Sequence, residues 1–351
     1  MYQVMRRLLW GLSWDATRSW FRLLSIKPWT SYGASHRSKA VTCARDACQP
    51  TKMQSLQFRS QLRSAATCLR RRLRDAVATP AGQADLPSAG GLPATLHMTP
   101  TKARRVQKGN PRQLTIRQHV LPRRSIARFA GEDKKVEVRR HNQAVTIRLE
   151  DDNPMFCASR AWDQRAESGY SRSIEIEFQS LADSIVAGKT TLDEGDHIVV
   201  SRFWVLWRLR AEVRASPTPP LRLNGVIESR EFSVAEQDAL EAKHVVYVEN
   251  GSQVPSHIWV GLMMQVQIDR LTCTPIRWGL IHSPDSEFIV PSRVGTSGFV
   301  PLTPHVALLA NQPEGTITKE QTVRLNKALL SFAGDYVFAR NISRALDETA
   351  T

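Results

Sequence analysis

Six side chains carry most of the chemistry this sequence could perform: His119, Glu177, Arg117, Arg123, Arg202 and Arg208. An imidazole changes charge near neutral pH, so His119 suits a general base. Glu177 suits an acid partner, and the four arginines suit a phosphate or nucleic-acid backbone. Each has a plainer use. His119 precedes Leu121-Pro122, where its ring can bond a backbone group at a helix entry. Glu177 can balance an interior arginine, and arginines on a helix can extend past its apolar face to water. His282, Asp285 and Glu287 lie close enough in sequence to hold a divalent ion. Short polar turns collect such residues anyway, so no metal is expected. The spacing Pro284-Asp285 with Glu287 lacks the lysine of a nuclease site. There is no phosphate-cradling glycine loop, nucleophile elbow or His-Glu-x-x-His, so no cofactor is expected.

The elements that must position these groups follow from periodicity. A short helix is expected over 122–130, opened by Pro122 and stopped by Gly131. Alternating apolar residues at 135–139 and 144–149, joined by a polar tetrapeptide, predict a β-hairpin. Ile174, Phe178, Leu181 and Ile185 predict an amphipathic helix carrying Glu177. The stretch Glu194–Ala215 is apolar around most of its circumference and predicts a buried central helix, with Arg202, Arg208, Arg210 and Arg214 along it. A helix at 233–244 has a Ser233–Glu236 capping box, and another is expected at 254–270. Residues 275–309 read as three short strands. A closing helix is expected over 318–340, with Thr318–Gln321 as its cap and Leu325, Leu329, Phe332 and Tyr336 along one face. The fold class is α+β: a mainly helical domain with an N-terminal β-hairpin and a C-terminal antiparallel strand run.

Charge divides the chain. Residues 1–112 hold 20 Lys and Arg against four acidic residues, and the other residues hold 28 basic against 29 acidic. The pI near 10.1 is therefore a property of the first third. It does not point to nucleic acid as partner of the rest. Residues 1–112 are Arg- and Ser-rich and end in a Pro/Gly/Ala linker composition that is expected to be disordered. The segment is read as a basic extension, with Met98 as the start of the working chain. Secretory-signal and transit-peptide readings are the alternatives. Residues 113–340 form one domain and 341–351 a polar tail. Five cysteines without a Cys-x-x-Cys pair argue against a disulfide framework or structural zinc. Cys157 and Cys273 read as small buried apolar residues. No apolar run is long enough for a membrane span, and a cytoplasmic location is expected.

Several of these segments share a pattern. HVLPRRSIARF at 119–129 comes first, then Ile176-Glu177 in a helix followed by an aromatic and Arg-rich helix. The strand at Trp278 is followed by Glu287-Phe288-Ile289-Val290 and Phe299-Val300-Pro301-Leu302-Thr303-Pro304, and then by Leu325-Asn326 and Tyr336-Val337. Over residues 114–340 this order resembles the bacterial family named as domain of unknown function 4238. The family name carries no activity. It usually has Ser-Asp-x-Pro where this chain has Pro291-Ser292-Arg293-Val294. If the missing Asp does chemistry, the resemblance implies an inactive member; if it caps a turn, the Ser292 hydroxyl can partly replace it.

Two function classes follow. The first is a non-catalytic or partner-binding domain. The second is an enzyme on a nucleic acid or phosphate-bearing substrate, with His119 and Glu177 catalytic and Arg117, Arg123, Arg202 and Arg208 binding. The partner is unknown; a protein is the first candidate, and nucleic acid remains possible. Deleting residues 1–97 is expected to leave a soluble protein with one cooperative thermal transition. Aggregation, or loss of that transition, would show that the extension belongs to the fold.

Overall fold

Helix α1 (Arg123–Ala127) follows strand β1 (Arg117–His119) across Pro122, whose fixed φ opens the first turn. These elements begin the computed structural model, which describes residues 109–348 apart from Asn142, 227–229, Pro275 and 296–297. The expectations for residues 1–108 lie outside the described residues. Next come β2 (Lys135–Arg140) and β3 (Thr146–Glu150), a 3-10 turn at Pro154–Phe156, and β4 (Cys157–Ser159). Helices α2 (Gln164–Ser168), α3 (Tyr170–Val186) and α4 (Glu194–Ala215) follow. Helix α4 starts at an Asp193–Asp196 capping box and ends before the proline-rich run at 217–220. Then come β5 (Leu221–Arg222), α5 (Val234–Ala242), β6 (Gln253–Val254) and α6 (Ser256–Leu271). The chain continues through β7 (Trp278–His282), β8 (Val290–Pro291), β9 (Phe299–Thr303), β10 (Val306–Ala310) and β11 (Gly315–Thr316). It closes with α7 (Lys319–Leu330), β12 (Tyr336–Ala339) and α8 (Ile342–Leu346). Helices and mostly antiparallel strands make this an α+β fold.

Two four-stranded sheets organise the core, in the orders β11-β7-β10-β9 and β3-β2-β12-β8. Period two divides their side chains between two apolar clusters. Trp278, Leu280, Val300, Leu302, Leu308, Tyr336 and Phe338 enter one cluster with α3, α4 and α6. Ile281, Phe299, Ala307, Leu309, Val337 and Ala339 enter the other with α7 and α8. Strands buried on both faces read as continuous apolar runs, as FVPLT, VALLA and YVFA do. At Gly279 a Cβ would stand 2.2 Å from the Gln312 carbonyl oxygen, so the chain after β10 crosses β7 where only glycine leaves room.

Helix α4 is buried without interruption from Phe203 to Ala211. Phe203 stacks on Phe178 of α3, ring centroids 3.5 Å apart, and Trp204 meets Trp278 edge-on. Ser201 joins α4 to β7: its hydroxyl donates to the His197 carbonyl and accepts from the Trp278 indole N–H at 3.0 Å.

The structure corrects several expectations. The closing helix stops at Leu330, Phe332 is exposed, and Tyr336 lies on β12. The 4-3-4 spacing through Tyr336 overlaid a four-residue apolar strand that both cores claim. Residues 275–310 hold four strands rather than three: β7, β9 and β10 share a sheet, while β8 pairs with β12 in the sheet of the β2–β3 hairpin. Residues 341–351 are not simply a polar tail, because Ile342, Ala345 and Leu346 of α8 are buried in the second cluster. The first helix is shorter than 122–130. Cys273 is exposed and Cys157 half-buried.

Asn326 on α7 ties this second core together. Its Oδ1 accepts from the Ile289 amide at 3.2 Å, and its Nδ2 donates to the Glu287 and Ala345 carbonyls at 2.7 Å each. No apolar residue replaces a group that is both donor and acceptor. Asn326→Ala is expected to cost about 2–4 kcal/mol in urea unfolding. A change below about 0.5 kcal/mol would mean that these bonds do not hold the core.

Candidate functional site

The six expected site residues fall into separate local arrangements. His119 ends β1, and its Nε2 meets the Asp151 carbonyl oxygen at 3.2 Å. Arg123 opens α1 and donates to the Asp151 carboxylate at 2.8 Å. Glu177 on α3 is exposed, accepts from the Ser173 hydroxyl at 3.0 Å and pairs with Arg202 of α4 at 3.3 Å. Arg208 is buried along Trp204 and bonds Glu212 one turn on, at 2.9 Å. Arg117 is exposed. Among the described residues, no hydrogen bond or ion pair links His119 or Arg123 to Glu177 or Arg202.

The interior arginine that needs a carboxylate is Arg210, and Glu177 is not its partner. Arg210 is 2% exposed. It ion-pairs with Glu175 of α3 and reaches Glu167 of α2 at 3.5 Å. It also donates to the His119 carbonyl at 3.2 Å and lies over the Trp162 ring, 5.0 Å from its centroid. The Trp162 indole N–H in turn donates to Glu167 at 2.5 Å. Burial opposes the charge of Arg210; the carboxylates of Glu175 and Glu167 outweigh it. Glu177 misses this group because it lies two residues beyond Glu175, about 200° around the helix.

A second cluster locks α5 and α6 to the segment after β4. Glu241, 3% exposed, receives Arg160 at 2.5 Å, His257 at 3.1 Å and the Gln164 amide at 3.0 Å. Asp163 caps α2, and a Cβ on Gly261 would stand 2.0 Å from its carboxylate. A third cluster lies after β7. Glu287, 1% exposed, receives Arg340 at 2.7 Å. Nδ1 of His305 faces the Ser283 and Ser286 carbonyls, so Nδ1 carries the ring hydrogen and Nε2 accepts from Arg340 at 2.8 Å. His282 and Asp285 are exposed while Glu287 is buried, so that trio is not gathered as one ion site. Among the described residues no group of three or more His, Cys, Asp or Glu could hold a metal ion. No helix of the described residues is long and apolar enough to cross a membrane.

Ser292 is a turn clamp. Its hydroxyl donates to the Ala333 carbonyl at 2.6 Å and accepts from the Asp335 and Tyr336 amides at 3.0 and 3.3 Å. A carboxylate could take the two amides but could not donate to the carbonyl. Beside this turn, between the end of β2 and the C-terminal end of α7, lies a pocket of 280 Å³. Its polar edge includes Arg139, Arg140 and His141, and its apolar lining includes Leu330, Ala333 and Val337. Tyr336 also lines it, its hydroxyl pushed up to about 12 by burial and so kept protonated near neutral pH.

No protein-family model, curated protein or solved structure matches this chain.

By sequence alone Arg210 stands only as one of four arginines on α4, and nothing local marks Glu167, Glu175 or Glu241. A signal was present for Arg210: it stands between Leu209 and Ala211 in the most apolar helix. No local pattern pairs it with two carboxylates 35 and 43 residues earlier.

The Glu241 cluster sets an acid response. Burial alone would raise the Glu241 carboxyl, but the bonds from His257 and Arg160 hold it below its ordinary 4.5. Its stabilisation is therefore complete above that value and is lost as pH falls through the lower folded one. Asp163, raised above 3.8 chiefly by burial, has the opposite sign and gains stability on protonation. Urea unfolding between about pH 6 and pH 3 is expected to show a flatter acid limb in Glu241→Gln than in the parent chain, with lower stability at pH 6. Parallel limbs would show that the carboxylate is not preferentially ionised in the fold.

Proposed function

We propose that residues 109–348 form a non-catalytic binding domain, a bacterial and cytoplasmic member of the domain of unknown function 4238 family. In this reading the hairpin β2–β3 and the C-terminal strand β12 build one sheet that presents the ligand-facing edge. The observation that carries it is the separation of the expected catalytic pair. His119 is engaged by a backbone carbonyl, and Glu177 sits in an exposed pair with Arg202. Catalysis by this pair would need both groups on one substrate, and each is engaged by a different neighbour. The strongest ionic groups, at Arg210, Glu241 and Glu287, are spent on joining elements.

The turn clamp at Ser292 also supports the reading. Its three bonds hold the turn before β12, which supports the reading of this position as a turn cap.

The test is a screen of nucleic-acid and phosphate-ester substrates with the parent chain and the His119→Ala/Glu177→Gln double variant. Equal background turnover by the two is expected. Turnover by the parent chain that falls at least about 100-fold in the double variant, with its melting curve unchanged, would establish the enzyme instead.

A further inference from the structure

Strand β3 leaves one edge of its sheet open. It stands at the end of the order β3-β2-β12-β8 and pairs with β2 alone. Among the described residues, the backbone of 144–149 makes no hydrogen bond outside that pairing. Half of the N–H and C=O groups of an antiparallel strand point away from its partner, so those of β3 are left for another strand. The devices that blunt such an edge are missing. Residues 144–150 contain no proline or lysine, and the register with β2 runs from Thr146 to Glu150 without a bulge.

The side chains of β3 show the same openness. Period two puts Val145, Ile147 and Leu149 on the face of Val136 and Val138. Val136 and Val138 are fully buried and Leu149 packs on the core, but Ile147 is 38% exposed and Val145 68%. The apolar strip therefore runs past the end of the core. Both charges of the strand, Arg148 and Glu150, lie on the opposite face, so no charge guards the strip.

The strip is symmetric about Ile147, and this selects its occupant. With a second β3 antiparallel to the first and a two-fold axis at Ile147, Ile147 meets its own copy and Val145 meets Leu149 of the second copy, twice over. On the other face Arg148 falls opposite Thr146 and Glu150 opposite Ala144, so no like charges stand opposite each other. Arg148 keeps its own counter-charge, Asp133, at 2.8 Å. An axis at Arg148 would oppose two arginines, and an axis at Leu149 would set Ile147 against Asp151. We propose that β3 pairs edge to edge with β3 of a second copy of this chain, joining their two sheets into one across a two-fold axis at Ile147. The inference names the partner taken by the free edge of the sheet and in that respect rests on the binding-domain reading. The two fail separately. Turnover that depends on His119 and Glu177 would overturn that reading with the dimer unchanged, and a monomeric chain would leave the substrate screen unaffected.

Sedimentation equilibrium of the full chain reads the association, and disulfide crosslinking reads the axis. A dimer of the 39.5 kDa chain is expected, with a dissociation constant of about 50 μM or tighter. Val145 is well exposed, so Val145→Lys should melt like the parent chain and weaken the dimer at least about 5-fold. Ile147→Lys opposes two ammonium groups on the axis and should leave only monomer up to about 200 μM. Residues that meet across the axis have Cβ atoms about 4.5–5.5 Å apart, near the span of a disulfide, whereas position 145 lies about 13 Å from its own copy. Under a mild oxidant, Ile147→Cys is therefore expected to form a 147–147 link, located by peptide mapping, at least about 10-fold faster than Val145→Cys forms a 145–145 link. Should Ile147→Lys fail to fold, the cysteine pair decides. The proposal is overturned by any of three results. These are a monomer throughout that concentration range, which would leave the edge to another partner, a dimer unweakened in either lysine variant that folds, or a 145–145 link that forms as fast as the 147–147 link.

Discussion

A guanidinium taken out of water must bring its counter-charges with it, and Arg210 imposes that condition on the middle of this fold. Helix α4 is buried from Phe203 to Ala211, so Arg210 has no route to solvent along its own helix. Glu175 comes from α3, Glu167 from α2, and the His119 carbonyl from the end of β1. Trp162 covers the guanidinium and bonds one of its carboxylates. Four elements are thus placed around one side chain, and a displacement of any of them leaves a buried charge short of a partner. Apolar packing tolerates small sliding more easily than this arrangement does, so Arg210 contributes as much to the uniqueness of the packing as to its strength.

The sheets impose the second constraint. Strands β7, β9, β10 and β12 sit between two apolar clusters, and successive side chains go alternately to α4 and α6 on one side and to α7 and α8 on the other. A one-residue slip would exchange the two sets along a whole strand. Asn326, Ser201 and Ser292 are buried polar residues that join the parts of this interior. Each bridges backbone or indole groups from different segments.

These constraints also explain where binding can occur. The ionic groups of the interior are committed to one another, which leaves the ends of the sheets as places where charge remains available. At the end of β2, the strand pairing with β12 puts Arg139 on the face that packs against α7. Arg139 is occupied by a carboxylate of the chain itself, and Arg140 is paired with Tyr336 on the other face of the strand pair.

Local pattern determined a good deal. The extents of α3, α4 and α6, the capping boxes at Ser233 and Thr318, and the buried character of α4 follow from 3.6-residue periodicity and from side chains that bond their own helix start. The alternation at 135–139 anticipated β2 for the same reason, since it reflects one strand with one buried face. These properties are decided within a few residues, so they are written locally. Tertiary structure decided what depends on neighbours distant in the chain. It made Tyr336 a strand residue, because the partners of YVFA are β2, some 200 residues earlier, and β8. It gave the interior arginine, Arg210, the carboxylate of Glu175 rather than that of Glu177, because which face of α4 is dry depends on how α3 and α2 pack against it. It also gave Ser292 its turn. The chemistry that first drew attention, His119 with Glu177, was a matter of residue type. Whether two such residues meet is a matter of packing, and packing engaged each of them with a neighbour of its own.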